Sequence, residues 1–210
     1  MSQDLNPEKA FIFRIVHKDN LGKILADGCR CRTTMEGKKG YVDIGNLELI
    51  DRRKQRAVPI KPHGTLSDYV PFYFTPYSPM LYNIKTGWGV PQQPMADIVI
   101  LISSLHYLKK KGVPFVFTDR HAYLKTAQFS DDLADLKWII WPVLQRRDFR
   151  KDETDKVEKY QAEALVHKHV PLDALLGIVC YNDSVRAAVQ AEADRHRAAV
   201  KIISKSNWYL

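Results

Sequence analysis

Apolar residues fall along this chain in short bursts separated by polar, glycine- or proline-bearing connections, and the spacing within each burst predicts its element. Phe11–His17 reads as a compact strand. Lys18–Gly28 follows as a short helix with Leu21, Ile24 and Leu25 on one face, Asp19 or Asn20 placed to cap it and Gly28 placed to end it. Cys29–Tyr41 is basic and aperiodic, hence a loop, whereas Ile44–Val58 carries Leu47, Ile50 and Lys54 on one face and predicts a short helix. Tyr69–Phe74 is aromatic and β-branched enough for a buried strand. The three prolines between Leu66 and Tyr82 exclude a long helix there, because each removes a backbone donor and sets φ, so the strand must break sharply. Aromatics at strand spacing most often pack a core, and this stretch alone implies no more than that.

The second half continues in the same manner. Asn83–Met95 is an exposed loop with two glycines and two prolines; Ile98–Ile102 is a strand, Ser103–Lys110 a short helix or turn, and Val113–Thr118 a strand that empties into the polar group Asp119–Ala122. Leu133–Trp138 and Ile139–Leu144 read as short helical pieces with Trp138 and Trp141 half buried, and Arg146–Lys159 as a charged surface loop or lone helical turn. In Gln161–Pro171, strand alternation puts Ala162, Ala164 and Val166 on one face and Glu163, Leu165 and His167 on the other. A carboxylate among such neighbours costs free energy unless it is hydrogen-bonded, neutralised or used, and Glu163 is by itself equally a salt-bridge partner or a catalyst. Leu175–Tyr181 is another strand, Asp183–Arg197 a helix capped by Asp183 or Ser184, and Val200–Ile203 a last strand. Many strands joined by loops and short helices predict an α+β fold with a split, mostly antiparallel β-sheet, and 210 residues predict one domain, 1–210.

Composition narrows the function. Hydrophobic residues at 45% and charged residues at 27% match a soluble globular protein. No run nears the roughly 18 apolar residues that cross a bilayer, and the polar start lacks a secretory h-region, so a cytoplasmic protein without a membrane partner is expected. Cys29, Cys31 and Cys180 lack zinc-site spacing and are expected to be reduced, with no metal. The net charge of +8 favours a polyanionic partner, and the excess is local: Arg30–Lys61 holds nine Lys or Arg against four Asp or Glu. Within it, Arg52, Arg53, Lys54 and Arg56 form either a solvated helix face or a phosphate cradle. His17, where a strand hands over to a helix, is either a hydrogen-bonded structural residue or a ligand contact. Dinucleotide-fold glycine motifs, Walker motifs, His-Glu-x-x-His and paired Cys-x-x-Cys are all missing from the sequence, which leaves redox, ATPase and zinc-hydrolase readings without support.

Five blocks, in order, carry a resemblance: Arg14–Gly28, Ile44–Pro59, Asp68–Phe74 with Ser78–Tyr82, Phe117–Ala122, and Gln161–Val166. Together the chain resembles the DarT family, the DNA ADP-ribosyltransferase toxins of bacterial toxin–antitoxin systems. The resemblance implies an ADP-ribosyltransferase-like fold and transfer of ADP-ribose from NAD⁺ onto thymine or guanine in single-stranded DNA, with nicotinamide released. It implies Glu163 as electrostatic partner and general base, Arg53 on the NAD⁺ pyrophosphate or in acceptor activation, His17 and the nearby Asn20 on a ribose, and Tyr73 beside the nicotinamide. His121, Tyr77 and Arg56 fall to the DNA side. A macrodomain antitoxin is the implied partner, and the enzyme is expected to be a monomer. The family usually shows Arg at position 77, a glycine pair where this chain has His63 and Gly64, and a basic residue where it has Tyr160, departures that bear on base choice. Two competing readings are a basic nucleic-acid-binding module without turnover and transfer to RNA or protein.

Overall fold

The apolar bursts become strands: β1 (Phe11–His17), β2 (Cys29–Arg30), β3 (Tyr69–Tyr73), β4 (Ile98–Ser104), β5 (Phe115–Thr118), β6 (Phe129–Ser130), β7 (Glu163–His167), β8 (His169–Val170), β9 (Gly177–Cys180) and β10 (Ile202–Ser204). The computed structural model describes residues 2–35, 39–150 and 152–209. Positions 36–38 of the expected basic loop and 151 of the charged segment lie outside the described residues. Eight strands form one sheet in the order β10-β9-β4-β1-β3-β7-β5-β6, while β2 and β8 pair separately. Only β10 and β9 run parallel; the other neighbours in the sheet are antiparallel.

The expected split has a definite place. β1 matches β4 over seven residues and β3 matches β7 over five, yet β1 and β3 meet only at Phe13 opposite Tyr73. The two halves of the sheet diverge on either side of that pair. Alternation along β7 is as expected: Ala164 and Val166 enter the main core, and Leu165 enters a smaller cluster with Val58, Leu66, Tyr69, Val116 and Ala122. Each valine or leucine among them contributes about 1.5–3 kcal/mol by leaving water. The clusters thereby fix Glu163, the first residue of β7, at the seam.

Short helices fill the connections: α1 (Leu21–Asp27), α2 (Arg32–Met35), α3 (Leu47–Arg52), α4 (Pro79–Thr86), α5 (Leu105–Lys110), α6 (Trp141–Arg146), α7 (Thr154–Tyr160) and α8 (Asp183–Arg195). Their caps correct several expectations. His17, not Asp19 or Asn20, caps the turn before α1, and Asn182, not Asp183 or Ser184, caps α8 by accepting from the Val185 amide. The expected loops at Cys29–Tyr41 and Asn83–Met95 contain α2 and the end of α4, and the charged segment holds α7. Pro79, read as a breaker, occupies the first turn of α4, where a missing N–H costs nothing, and Ser78 caps it by accepting from the Leu81 amide at 3.2 Å. Trp141 is buried rather than half buried, its indole donating to the Leu136 carbonyl.

Gly28 ends α1 at φ +71°, where a Cβ would meet the Val170 carbonyl oxygen at 2.3 Å, so only glycine fits. His63 and Gly64 both take positive φ, +63° and +86°, which accounts for a glycine pair suiting this turn. Among the described residues no helix is long and apolar enough to cross a membrane. The three cysteines are buried free thiols.

Candidate active site

Register places the reactive groups. Tyr73 at the end of β3 lies opposite Glu163 at the start of β7, and Tyr73 is also the residue that pairs with β1 across the split. Arg53 reaches the same point from the turn after α3, a helix capped by Asn46 through the Leu49 amide at 2.8 Å. The segment between β5 and β6 supplies His121 and Ala122.

Glu163 is held on several sides. Arg53 Nη1 donates to Oε1 at 3.2 Å and Nη2 lies 3.0 Å from Oε2, with the two side chains 12% and 4% exposed. The Ala122 amide donates to Oε1 at 3.1 Å, and the Glu163 amide donates to the Thr118 hydroxyl at 3.2 Å. Burial opposes ionisation, but the Arg53 charge and the bonds from Arg53 and Ala122 outweigh it, so the carboxyl lies below its ordinary pKa. Glu163 is a buried carboxylate. Oε1 is saturated by Arg53 and Ala122, which leaves Oε2 the freer oxygen for a substrate.

His121 Nδ1 stands 3.7 Å from Glu163 Oε1 but accepts from the Tyr123 amide at 3.2 Å, so the proton of a neutral ring sits on Nε2. Burial and the Arg53 charge lower the His121 pKa against the pull of Glu163, and the ring is neutral. Tyr73 is pushed up by burial and by the Glu163 charge, so its phenol keeps its proton.

The loop carrying His121, in sequence only a polar group at a strand end, is pinned by a network. Arg120 contacts Asp119 at 3.0 Å and Asp155 and Glu158 at 3.1 Å each, the last two on α7. Asp119 accepts from the Gln128 amide at 2.9 Å, closing the loop, and the His121 amide donates to the Glu158 carbonyl at 3.0 Å. α7 thus holds the loop against the carboxylate.

These side chains open on a cleft continuous with solvent. Arg53, Tyr73, His121 and Glu163 line it together, with Asn20, Tyr41 and Met80. Asn20 is buried and doubly used: it donates to the Val42 carbonyl at 2.9 Å and accepts from the Val42 amide at 2.8 Å. It shapes the cleft wall by clamping that segment. His17 is buried and does not line the cleft, its Nδ1 accepting from the Asp19 amide at 3.3 Å.

Tyr77 requires a correction. It is 1% exposed, away from the cleft, with Arg147 stacked on its ring at 3.6 Å and Arg147 Nη2 donating to its hydroxyl at 2.6 Å. Tyr160, equally buried, donates to the Tyr77 carbonyl at 3.1 Å. The two departures touch each other in the core, so neither presents a face to DNA. Arg56 also lies outside the cleft; it donates to the Leu124 carbonyl at 2.9 Å and supports the loop that carries His121.

A split, mostly antiparallel sheet, a buried carboxylate held by arginine at the seam and a cleft beside it define an ADP-ribosyltransferase-like α+β protein. The family model for DarT, described as ssDNA thymidine ADP-ribosyltransferase, matches residues 13–210, and the chain belongs to that family. A DNA ADP-ribosyl transferase of Escherichia coli O127:H6 is 46% identical over 99% of this chain and 97% of that protein. One from Thermus sp. (strain 2.9) is 37% identical over 97% of both. The solved structure of Thermus sp. 2.9 DarT in complex with ADP-ribosylated ssDNA superposes with a TM-score of 0.90 at 34% identity, covering 97% of this chain and 98% of that one. The complex of the same protein with NAD⁺ gives 0.85 at 33% identity, covering 97% and 99%.

Proposed function

We propose that the chain, one ADP-ribosyltransferase domain over residues 1–210, transfers ADP-ribose from NAD⁺ onto thymine in single-stranded DNA. The observation that carries this is Glu163 held ionised by Arg53 at the sheet split, on a cleft that Arg53, Tyr73 and His121 also line. Its relatives' complexes with NAD⁺ and with ADP-ribosylated ssDNA support both substrates, and the family description supports thymine over guanine.

In this reading the bond between nicotinamide and ribose C1 breaks, and nicotinamide leaves neutral with the bonding pair. Glu163 stabilises the cationic ribose electrostatically. A ring nitrogen of the base attacks C1, and its proton passes to the Glu163 carboxylate. Arg53 keeps that carboxylate ionised and oriented. Tyr73 flanks the leaving group, and neutral His121 meets the incoming base. An unpaired strand exposes the base edge that a duplex hides. Such an enzyme endangers its own cell's DNA in the cytoplasm, so a macrodomain antitoxin that removes the ADP-ribose is the proposed partner.

The test is acceptor competition. With NAD⁺, oligo(dT), oligo(dG), duplex, RNA and a carrier protein are offered together, and digests are read by mass spectrometry. The expected product is one ADP-ribose on thymidine of the single strand. Exclusive labelling of RNA or protein, or salt-dependent DNA binding with no nicotinamide release, would overturn it.

A further inference from the structure

Four arginines line the cleft, and three are neutralised. Arg30 is held by Asp27 through Nε at 2.5 Å and Nη2 at 2.8 Å. Arg32 forks onto both oxygens of Asp43 at 2.9 and 2.8 Å, and Arg53 faces Glu163. Arg14 has no carboxylate among the described residues. Its Nη1 donates to the Pro71 carbonyl across the split at 2.9 Å. Its other neighbours are the Cys29 thiol and the Tyr41 hydroxyl, each kept neutral by burial. Arg14 Nε is buried without a hydrogen-bond partner, and so is the hydroxyl of Ser67, in the turn that leads into β3. Both side chains line the same cleft as Glu163. A guanidinium withdrawn from water calls for an anion, and its planar fork suits phosphate oxygens.

We propose that Arg14 and Ser67 form the phosphate subsite of this cleft and hold the pyrophosphate of the dinucleotide whose ribose is presented to Glu163. The assignment rests on the ADP-ribosyl-transfer reading. It relieves Arg53 of a pyrophosphate role, since Arg53 is already committed to Glu163. A DNA phosphodiester shares the chemistry, but the pyrophosphate belongs to the molecule that must enter the cleft to place its ribose at the carboxylate. Arg14 Nε–H and the Ser67 hydroxyl each have a hydrogen to donate to a phosphate oxygen.

Calorimetric titration of the whole protein with ADP-ribose, adenosine and oligo(dT) tests this, comparing wild type with Arg14→Gln and Ser67→Ala. Loss of a charge-assisted bond predicts ADP-ribose affinity weakened on the order of tenfold or more in Arg14→Gln, and about threefold in Ser67→Ala. Adenosine and oligo(dT) affinities should stay within twofold. Ser67→Ala, which removes an unpaired hydroxyl, should melt no lower than wild type and decides the matter if Arg14→Gln does not fold. Unchanged ADP-ribose affinity in Ser67→Ala and in any folded Arg14→Gln would overturn the proposal, as would a loss confined to oligo(dT). A wild type that binds ADP-ribose yet modifies no DNA would instead sink the transfer reading alone.

Discussion

Arg53→Met offers a direct test of the pair at the seam. With the side chains only 12% and 4% exposed, removing the cation strands a carboxylate in a place that favours its neutral form. Breaking a buried pair in this way costs about 3–5 kcal/mol, and the sign of the pH dependence should reverse. In the wild type, the lowered Glu163 pKa contributes stability above the unfolded value of about 4.3, and this is lost as pH falls toward the folded value. In Arg53→Met, burial is unopposed and raises the folded pKa. Its contribution is then full below about 4.3 and is lost at about 1.4 kcal/mol per pH unit as pH climbs to the new folded value. Urea unfolding at pH 4.5, 6 and 7.5 reads this out, taken as the difference from Arg53→Met/Glu163→Gln so that other titrating groups cancel. The double variant should regain at least about 2 kcal/mol at pH 7.5. A loss under about 1 kcal/mol in Arg53→Met, or a difference that does not change with pH, would show that Arg53 does not hold the carboxylate ionised.

Other expectations concern the supports around the site. Asp68 caps the turn before β3 through Thr65, accepts from Thr33 and pairs with Lys168, contacts that outweigh burial and lower its pKa. Asp68→Asn should cost about 1–2 kcal/mol at pH 7 by urea unfolding, with the difference shrinking as pH falls below about 4. Tyr77→Phe, which loses only the Arg147 bond, should cost about 1 kcal/mol while leaving oligo(dT) affinity within twofold, and a tenfold loss of DNA binding would restore Tyr77 to the substrate surface. His121, neutral through burial, should leave kcat/KM flat through pH 6.5 and let it fall only at lower pH, where protonation also begins to favour unfolding. An apparent pKa at or above 6.5 that vanishes in His121→Gln would contradict its assigned neutrality.

What could be read from the sequence depended on whether local pattern or tertiary pairing decided the feature. β1, the strands from Tyr69 and from Glu163, and the two faces of Gln161–Pro171 followed from alternation and β-branched or aromatic content, which are local. Caps were harder: His17 prevailed over better capping types at Asp19 and Asn20, and Asn182 over Asp183 and Ser184, because backbone geometry, not residue type, chooses among them. The split was expected but its position was not, since nothing local says that the backbones of β1 and β3 pair only at Phe13 and Tyr73. Glu163 stood out as a carboxylate in an apolar strand, yet its pairing with Arg53 spans 110 positions and no spacing rule links them. Arg14 gave the same kind of signal, a cation inside an apolar strand, and only the structure shows that it lacks a counter-charge among the described residues. Tyr77 misled because it lies beside a strongly motif-like stretch while packing into the core.

In the proposed reaction Glu163, held ionised by Arg53, carries out transfer at the seam of the sheet. Glu163→Gln keeps the shape and the Ala122 contact but removes the charge and the proton acceptor. Incubated with NAD⁺ and oligo(dT), it should retain its fold by circular dichroism and bind NAD⁺ within a few-fold of wild type. The mass of one ADP-ribose on the oligonucleotide should fall by at least about a thousandfold in rate. Near-wild-type transfer by folded Glu163→Gln protein would contradict the account.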